Sequence, residues 1–183
     1  MLLIMFAATS GARAIAGDEE AGTLDLLLAH PVSRTRLVLE RFGALVASIA
    51  LLGSLVWAAT LAAIAGAGIG IGAGRITAAT LGLTLLAVAF GAIALTVGAI
   101  SGRRGPVLGV TAALAVAAYL AYSFAPQVDG LEGLRNLSPF HYYLGADPLR
   151  TGFHLGHLAV LVAIPLALLG IALWSFNRRD IAV

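Results

Sequence analysis

FGALVASIALLGSLVWAATLAAIA, residues 42–65, is a run of 24 residues without one Asp, Glu, Lys or Arg. At 1.5 Å per residue it crosses a hydrocarbon layer of roughly 30 Å as a helix. Three further charge-free runs, 77–100, 106–125 and 158–176, have 24, 20 and 19 residues. All are apolar on every side, whereas barrel strands would be about ten residues long with polar–apolar alternation. The spacing predicts an all-α fold, a polytopic membrane helix bundle with four complete spans in a single transmembrane domain covering 1–183. Composition agrees: 60% of the 183 residues are hydrophobic and 11% charged, with a mean hydropathy of +0.99. A soluble domain is about a quarter charged and under half apolar, so a soluble globular enzyme is excluded. Without cysteine there is no disulfide framework, zinc–thiolate site or cysteine nucleophile. All eleven basic residues are Arg, and richness in Ala and Gly without Lys suggests GC-rich coding and a bacterial source.

Upstream of the spans, residues 1–12 are uncharged but too short to cross alone. A signal peptide would carry its basic region before the apolar run, and here Arg13 follows it. Residues 1–16 are expected to be the second half of a membrane helix that begins outside this chain; the alternative is a short amphipathic or re-entrant start. With Arg13 cytoplasmic, the inner segments hold Arg13, Arg34, Arg36, Arg41, Arg103, Arg104, Arg178 and Arg179, and the outer ones Arg75, Arg135 and Arg150. That distribution satisfies the positive-inside rule, and the reverse orientation violates it.

The connections differ in character. GAGIGIGAG, residues 66–74, fits G-x-G-x-x-A at Gly68, Gly70 and Ala73. A dinucleotide-binding turn needs a βαβ unit around it, so this is expected to be a low-complexity hairpin. Gly98 and Gly102, four apart, are expected to allow close helix packing. The outer segment 126–157 carries Leu131, Leu134 and Leu137, then Ser138, Pro139, Phe140, His141, Tyr142 and Tyr143, then Asp147, Pro148 and Arg150. Aromatic residues with polar tips favour the membrane interface, and one or two short helices are expected there. His141, Asp147, His154 and His157 are the residues a metal site would use. They contain no H-E-x-x-H pattern and the last span has no carboxylate, so no metal or catalytic site is expected.

The inner stretch 17–41, GDEEAGTLDLLLAHPVSRTRLVLER, is the most informative connection. Asp18, Glu19 and Glu20 precede Thr23, a suitable N-cap whose helix favours negative neighbours. Leu24, Leu27 and Leu28 give that short helix one apolar face, and Pro31 ends it by His30. Ser33 then caps a basic helix holding Arg34, Arg36 and Arg41, with Val32 and Leu37 as a hydrophobic staple. Two readings fit these residues equally well. One is a cytoplasmic helix presenting its leucines to a partner, and the other is an interfacial helix whose leucines dip into lipid.

Glu20-Ala21-Gly22-Thr23-Leu24-Asp25-Leu26-Leu27-Leu28, followed by Pro31-Val32-Ser33-Arg34, resembles the E-x-G-T-L-x-x-L-L…P-V-S-R signature of type-2 ABC exporter permeases. A weaker similarity is Ser138-Pro139-Phe140…Asp147-Pro148-Leu149, like the segment such permeases carry outside before their last helix. The resemblance spans essentially the whole chain. It implies a family plan of six spans with both termini cytoplasmic, of which residues 1–16 would be the end of the second span. The region 17–40 would hold a coupling helix that docks on a separate ABC ATPase subunit, through Glu20, Gly22, Thr23, Leu24, Leu27, Leu28, Pro31, Ser33 and Arg34. A second permease subunit, identical or different, would complete the path across the bilayer. ATP and Mg would sit on the ATPase, leaving this chain without a cofactor, catalytic residue or nucleic-acid partner. The expected location is the bacterial or archaeal plasma membrane. The alternatives are an ion-coupled secondary transporter, which expects ionisable groups at membrane depth that these spans lack, and a non-transporting structural subunit.

Overall fold

The computed structural model describes residues 1–20, 33–68, 70–127 and 132–178. Among these residues the chain is all-α, with no strand. A helix of 13 residues, α1 (Leu2–Ala14), is followed by the single turn α2 (Ala16–Glu20). Four long helices come after it: α3 (Arg34–Ala67), α4 (Ala73–Ser101), α5 (Arg104–Phe124) and α8 (Leu155–Arg178). All four are long and apolar enough to cross a membrane. Between α5 and α8 lie 3-10 turns at 125–127 and 132–137 and the short helices α6 (Pro139–Leu144) and α7 (Pro148–Thr151). The multi-pass bundle expected from the charge-free runs is the observed fold.

The ends of the helices follow from local chemistry. Ser33, in extended geometry, accepts a hydrogen bond from the Arg36 amide and starts α3, so the basic residues and the first span form one continuous helix of 34 residues. That is about 51 Å of helix, well beyond a hydrocarbon thickness of roughly 30 Å, so the arginine-bearing turns extend past the apolar layer. α3 stops at Gly68, whose φ of 66° is the left-handed conformation that glycine adopts without strain. The glycine-rich hairpin is therefore shorter than its composition suggests, because α4 begins at Ala73.

α4 is the axis of the bundle. In its most apolar 18-residue window 67% of the residues are buried, against 11–17% in the other three long helices. It can be surrounded because its contact positions are small. Gly91 faces Ala7 and Leu45, and Gly11 of α1 lies against the Gly91 carbonyl and Ala94, where a Cβ would collide. Lipid offers little drive for apolar burial within the bilayer, so close backbone approach and packing hold such crossings. The Thr96 hydroxyl, buried on α4, is placed to donate to Ala92 of its own helix at 2.8 Å or to Leu168 of α8 at 3.1 Å.

The expected packing pair is not used as one. A Cβ on Gly98 would meet Ala16 and Val107 at ordinary van der Waals distances of 3.6 and 3.8 Å, so the crossing there does not depend on glycine. Gly102 instead has φ 66° and terminates α4, its amide donating to the Gly98 carbonyl at 2.9 Å. The chain has to reverse between α4 and the start of α5 at Arg104, and a left-handed C-cap makes that turn.

The arginines sort to the two ends. Arg13, Arg41 and Arg104 line one cavity. At the same end the Asn177 amide donates to Thr35 at 3.2 Å, joining the end of α8 to the start of α3. Arg34, Arg36, Arg103 and Arg178 share this end by their positions on those helices, while Arg75, Arg135 and Arg150 belong to the opposite one.

Candidate functional site

Three places combine polar chemistry with a cavity or a junction of helices: the flanks of residues 21–32, the segment before α8, and a crevice between α3 and α4. Of the residues that the resemblance assigns to ATPase coupling, Glu20 closes α2, and Ser33 and Arg34 open α3. Gly22, Thr23, Leu24, Leu27, Leu28 and Pro31, with the expected short helix and the Val32 half of the staple, lie outside the described residues.

The flanks are built into the bundle. The Arg104 amide, at the exposed start of α5, donates to Glu20 Oε1 at 2.8 Å, and its Nε lies 3.7 Å from Oε2. A carboxylate at a helix N-terminus also meets the positive end of the helix dipole. The guanidinium of Arg104 crosses over Gly17, where a Cβ would come within 2.6 Å of Nη2. A side chain at Gly17 would therefore displace the Arg104 guanidinium from this position. On the other flank Ser33 fixes the first turn of the longest helix, and Arg36 holds Glu40 at 2.8 Å one turn later.

At the opposite end, the predicted outer-segment residues come together as an aromatic seal. The Ser138 hydroxyl caps α6 by accepting from the Phe140 amide at 3.2 Å and donates to the Ala118 carbonyl of α5 at 2.7 Å. Pro139 occupies the first turn of α6, where its missing N–H costs nothing. Phe140 is buried with its ring centroid 5.5 Å from Phe90 and 5.6 Å from Tyr119. Tyr142 donates to the Asn136 carbonyl at 2.8 Å, and Tyr143 packs over Gly82, its hydroxyl pushed above its ordinary pKa by burial. Asp147 caps α7 at φ 44°, a left-handed conformation that Asp tolerates better than most side chains, and Pro148 follows it into the helix.

His141, His154 and His157 gather beside this seal with their rings tilted against one another. His157 lies 5.6 Å from His141 and 5.7 Å from His154, centroid to centroid. Among the described residues no three His, Asp or Glu side chains form a group able to hold a metal. His141 is held below its ordinary pKa, first by burial and then by Arg135 and His157. The cavity among Tyr142, Tyr143, His154 and His157 measures about 20 Å³, room for one water and no cargo.

The crevice between α3 and α4 is larger, about 240 Å³, and has Ser54, Trp57, Thr77, Thr80 and Thr84 in its lining. Gly53 lets Thr84 of α4 approach α3 closely. Trp57 donates from its indole to the Thr77 hydroxyl at 2.9 Å. Thr77, Thr80 and Thr84 each donate to a carbonyl one turn back, at 2.9, 2.8 and 2.8 Å. Their hydroxyls are thereby turned to the backbone, and the crevice presents an almost wholly apolar surface, with Ala50, Leu81 and Trp57 beside the threonines.

Comparison with known families gives one assignment: residues 1–181 match the family described as "ABC-2 family transporter protein". No curated protein and no solved structure matches the chain.

Proposed function

The chain belongs to the ABC-2 family of transporter proteins, and from that premise we propose that it exports amphiphilic or apolar cargo by coupling to a separate ATPase subunit. Membership makes the chain a multi-pass membrane permease of an ABC-type transporter; direction, coupling and cargo are the finer reading. The observation that supports coupling most is the pairing of the E-x-G-T-L-x-x-L-L…P-V-S-R stretch with its two anchored flanks. Glu20 ties one flank to α5 and Ser33 caps α3 at the other, so a partner that moves residues 21–32 acts on two spanning helices together. ATP binding on the partner would supply the free energy, and the bundle would respond as a rigid-body switch between two arrangements.

In this reading the arginine-rich end faces the cytoplasm, where the ATPase and its ATP and Mg reside. The plasma membrane is the proposed location, and a second permease copy or paralogue is proposed to complete the path. The α3–α4 crevice, apolar and bordered by Trp57 and Leu81, is the candidate cargo-facing surface. A reconstituted system containing the neighbouring ATPase tests the coupling. Gly22→Pro and Leu27→Asp should insert normally, leave ATP hydrolysis in place and reduce cargo export at least tenfold. Near-normal export by both variants would remove the coupling assignment, and ion-driven transport without an ATPase would replace it with a secondary transporter.

A further inference from the structure

α8 carries a proline in its interior, Pro165, which is buried. Proline has no N–H, so the Leu161 carbonyl one turn back loses the helical hydrogen bond it would otherwise receive. A membrane helix bends at such a place because no backbone bond has to break there. The two sides of Pro165 are fastened to different parts of the bundle. On one side, the His157 ring packs against His141 and Tyr142 of α6, at 5.6 and 5.5 Å between centroids. On the other side Ala172 and Phe176 are buried, and Asn177 donates to Thr35 in the first turn of α3 at 3.2 Å. The first half of α8 thus belongs to the aromatic seal and the second half to the arginine-rich end.

Leu168, just past the proline, offers its carbonyl to the Thr96 hydroxyl of α4 at 3.1 Å. That hydroxyl has a second acceptor in its own helix, the Ala92 carbonyl at 2.8 Å. An unsatisfied donor in the bilayer interior is costly, but Thr96 can let go of Leu168 and stay satisfied. We propose that Pro165 is a hinge within α8 and Thr96 its releasable latch. The second half of α8 swings with the start of α3 while the first half stays docked on α6. A helix anchored at its ends to different partners must bend or slip when they move apart, and a proline between the anchors localises the bend. The hinge belongs to this chain alone and does not depend on cargo, direction or ATPase coupling.

The test measures the full chain without any ATPase. Because the sequence has no cysteine, pairs of introduced cysteines can carry nitroxide labels without background. Leu108→Cys with Ile171→Cys reports the second half of α8 against α5, and Leu120→Cys with Val162→Cys reports the first half; all four positions are exposed. Pulsed electron spin resonance should give a distance distribution about twofold broader for the first pair than for the second, as a hinge between anchored segments requires. Pro165→Ala, which restores an N–H for Leu161, should narrow the broad distribution to the width of the other. Thr96→Val keeps the side-chain shape, removes the latch and should broaden the first pair further without changing the second. Equal widths for the two pairs in the otherwise wild-type chain overturn the hinge, as does a width unchanged by Pro165→Ala. Should Pro165→Ala fail to insert, Thr96→Val decides alone, and equal broadening of both pairs would mean general loosening and no hinge.

Discussion

The two ends of this bundle are closed by different chemistry. At the arginine-rich end, helices are joined by exposed polar contacts, Glu20 to Arg104 and Asn177 to Thr35, around a cavity of about 370 Å³. At the opposite end, α6 inserts the buried ring of Phe140 between Phe90 and Tyr119, and the nearby cavity among the tyrosines and histidines is only about 20 Å³. Exposed charge pairs are screened and contribute little, whereas a buried aromatic side chain brings dispersion and burial that persist at any salt concentration. The arginine-rich end has its own apolar layer, with Ile15, Leu37, Val38 and Phe176 buried, so the two ends differ in their outermost ties and in the size of the adjacent cavity. The proposed coupling would act on the end whose outermost ties are polar and exposed.

The most damaging way to break the asymmetry is to empty the seal. Phe140→Ala should destabilise the folded bundle by about 3–5 kcal/mol, the usual range for truncating a packed phenylalanine. Thermal unfolding in detergent should show a large fall in midpoint with the helical content of the long spans retained before melting. A change no larger than that from the charge-pair variant below would mean that the two ends are held alike. Ser138→Ala is the next step down. It removes both the cap of α6 and the tie to Ala118, a loss of about 1–2 kcal/mol. Asn at this position should restore part of the capping but not the contact with α5, which separates the two contributions.

How much of this was legible in the sequence depends on the length scale of the pattern. The spans were readable because each is a run of about twenty residues without charge, and the ends of the bundle because the arginines interrupt those runs. Ser33 was readable as a cap because its donor, the Arg36 amide, is three residues away. Gly17, Arg13, Arg41 and Arg104 were not readable as neighbours, since four helices bring them together across more than eighty positions of sequence. Likewise Ser138-Pro139-Phe140 could be recognised by resemblance, but its bond to Ala118 and its contact with Phe90 depend on how α6 folds back over α4 and α5. Gly102 shows the converse error, because a four-residue spacing that suggests packing also describes a helix cap and the turn before it.

Acid should loosen the sealed end selectively. His141 has a folded-state pKa below its ordinary 6.5, because burial, Arg135 and His157 all oppose its charge. The unfolded chain then binds more protons as pH falls through that value, so the stability contributed by neutral His141 is present above it and is lost between 6.5 and the lower folded pKa. His154 and Tyr142 belong to the same cluster, with the Tyr142 and His157 rings 5.5 Å apart. Thermal midpoints measured from about pH 7.5 to 5 should fall for the wild-type chain and fall less for His141→Gln. An identical slope in both would place the acid sensitivity elsewhere.

The smallest stability effect is expected at the arginine-rich end, and its value lies in being small. The side chains of Arg104 and Glu20 are 44% and 42% exposed, so solvent screening limits their ion pair. Glu20→Gln keeps an oxygen that can accept from the Arg104 amide while removing the charge, and should cost less than about 1 kcal/mol, falling further with salt. Its effect on coupling need not be small. If α2 transmits motion of residues 21–32 to α5, the neutral variant should keep the thermal midpoint near wild type and still lower cargo export per ATP hydrolysed. Glu20→Ala, which also removes the acceptor, should lower it more. A shared midpoint and an unchanged export ratio in both variants would show that α5 receives the motion by another contact, and would leave Ser33 and α3 as the lever to test.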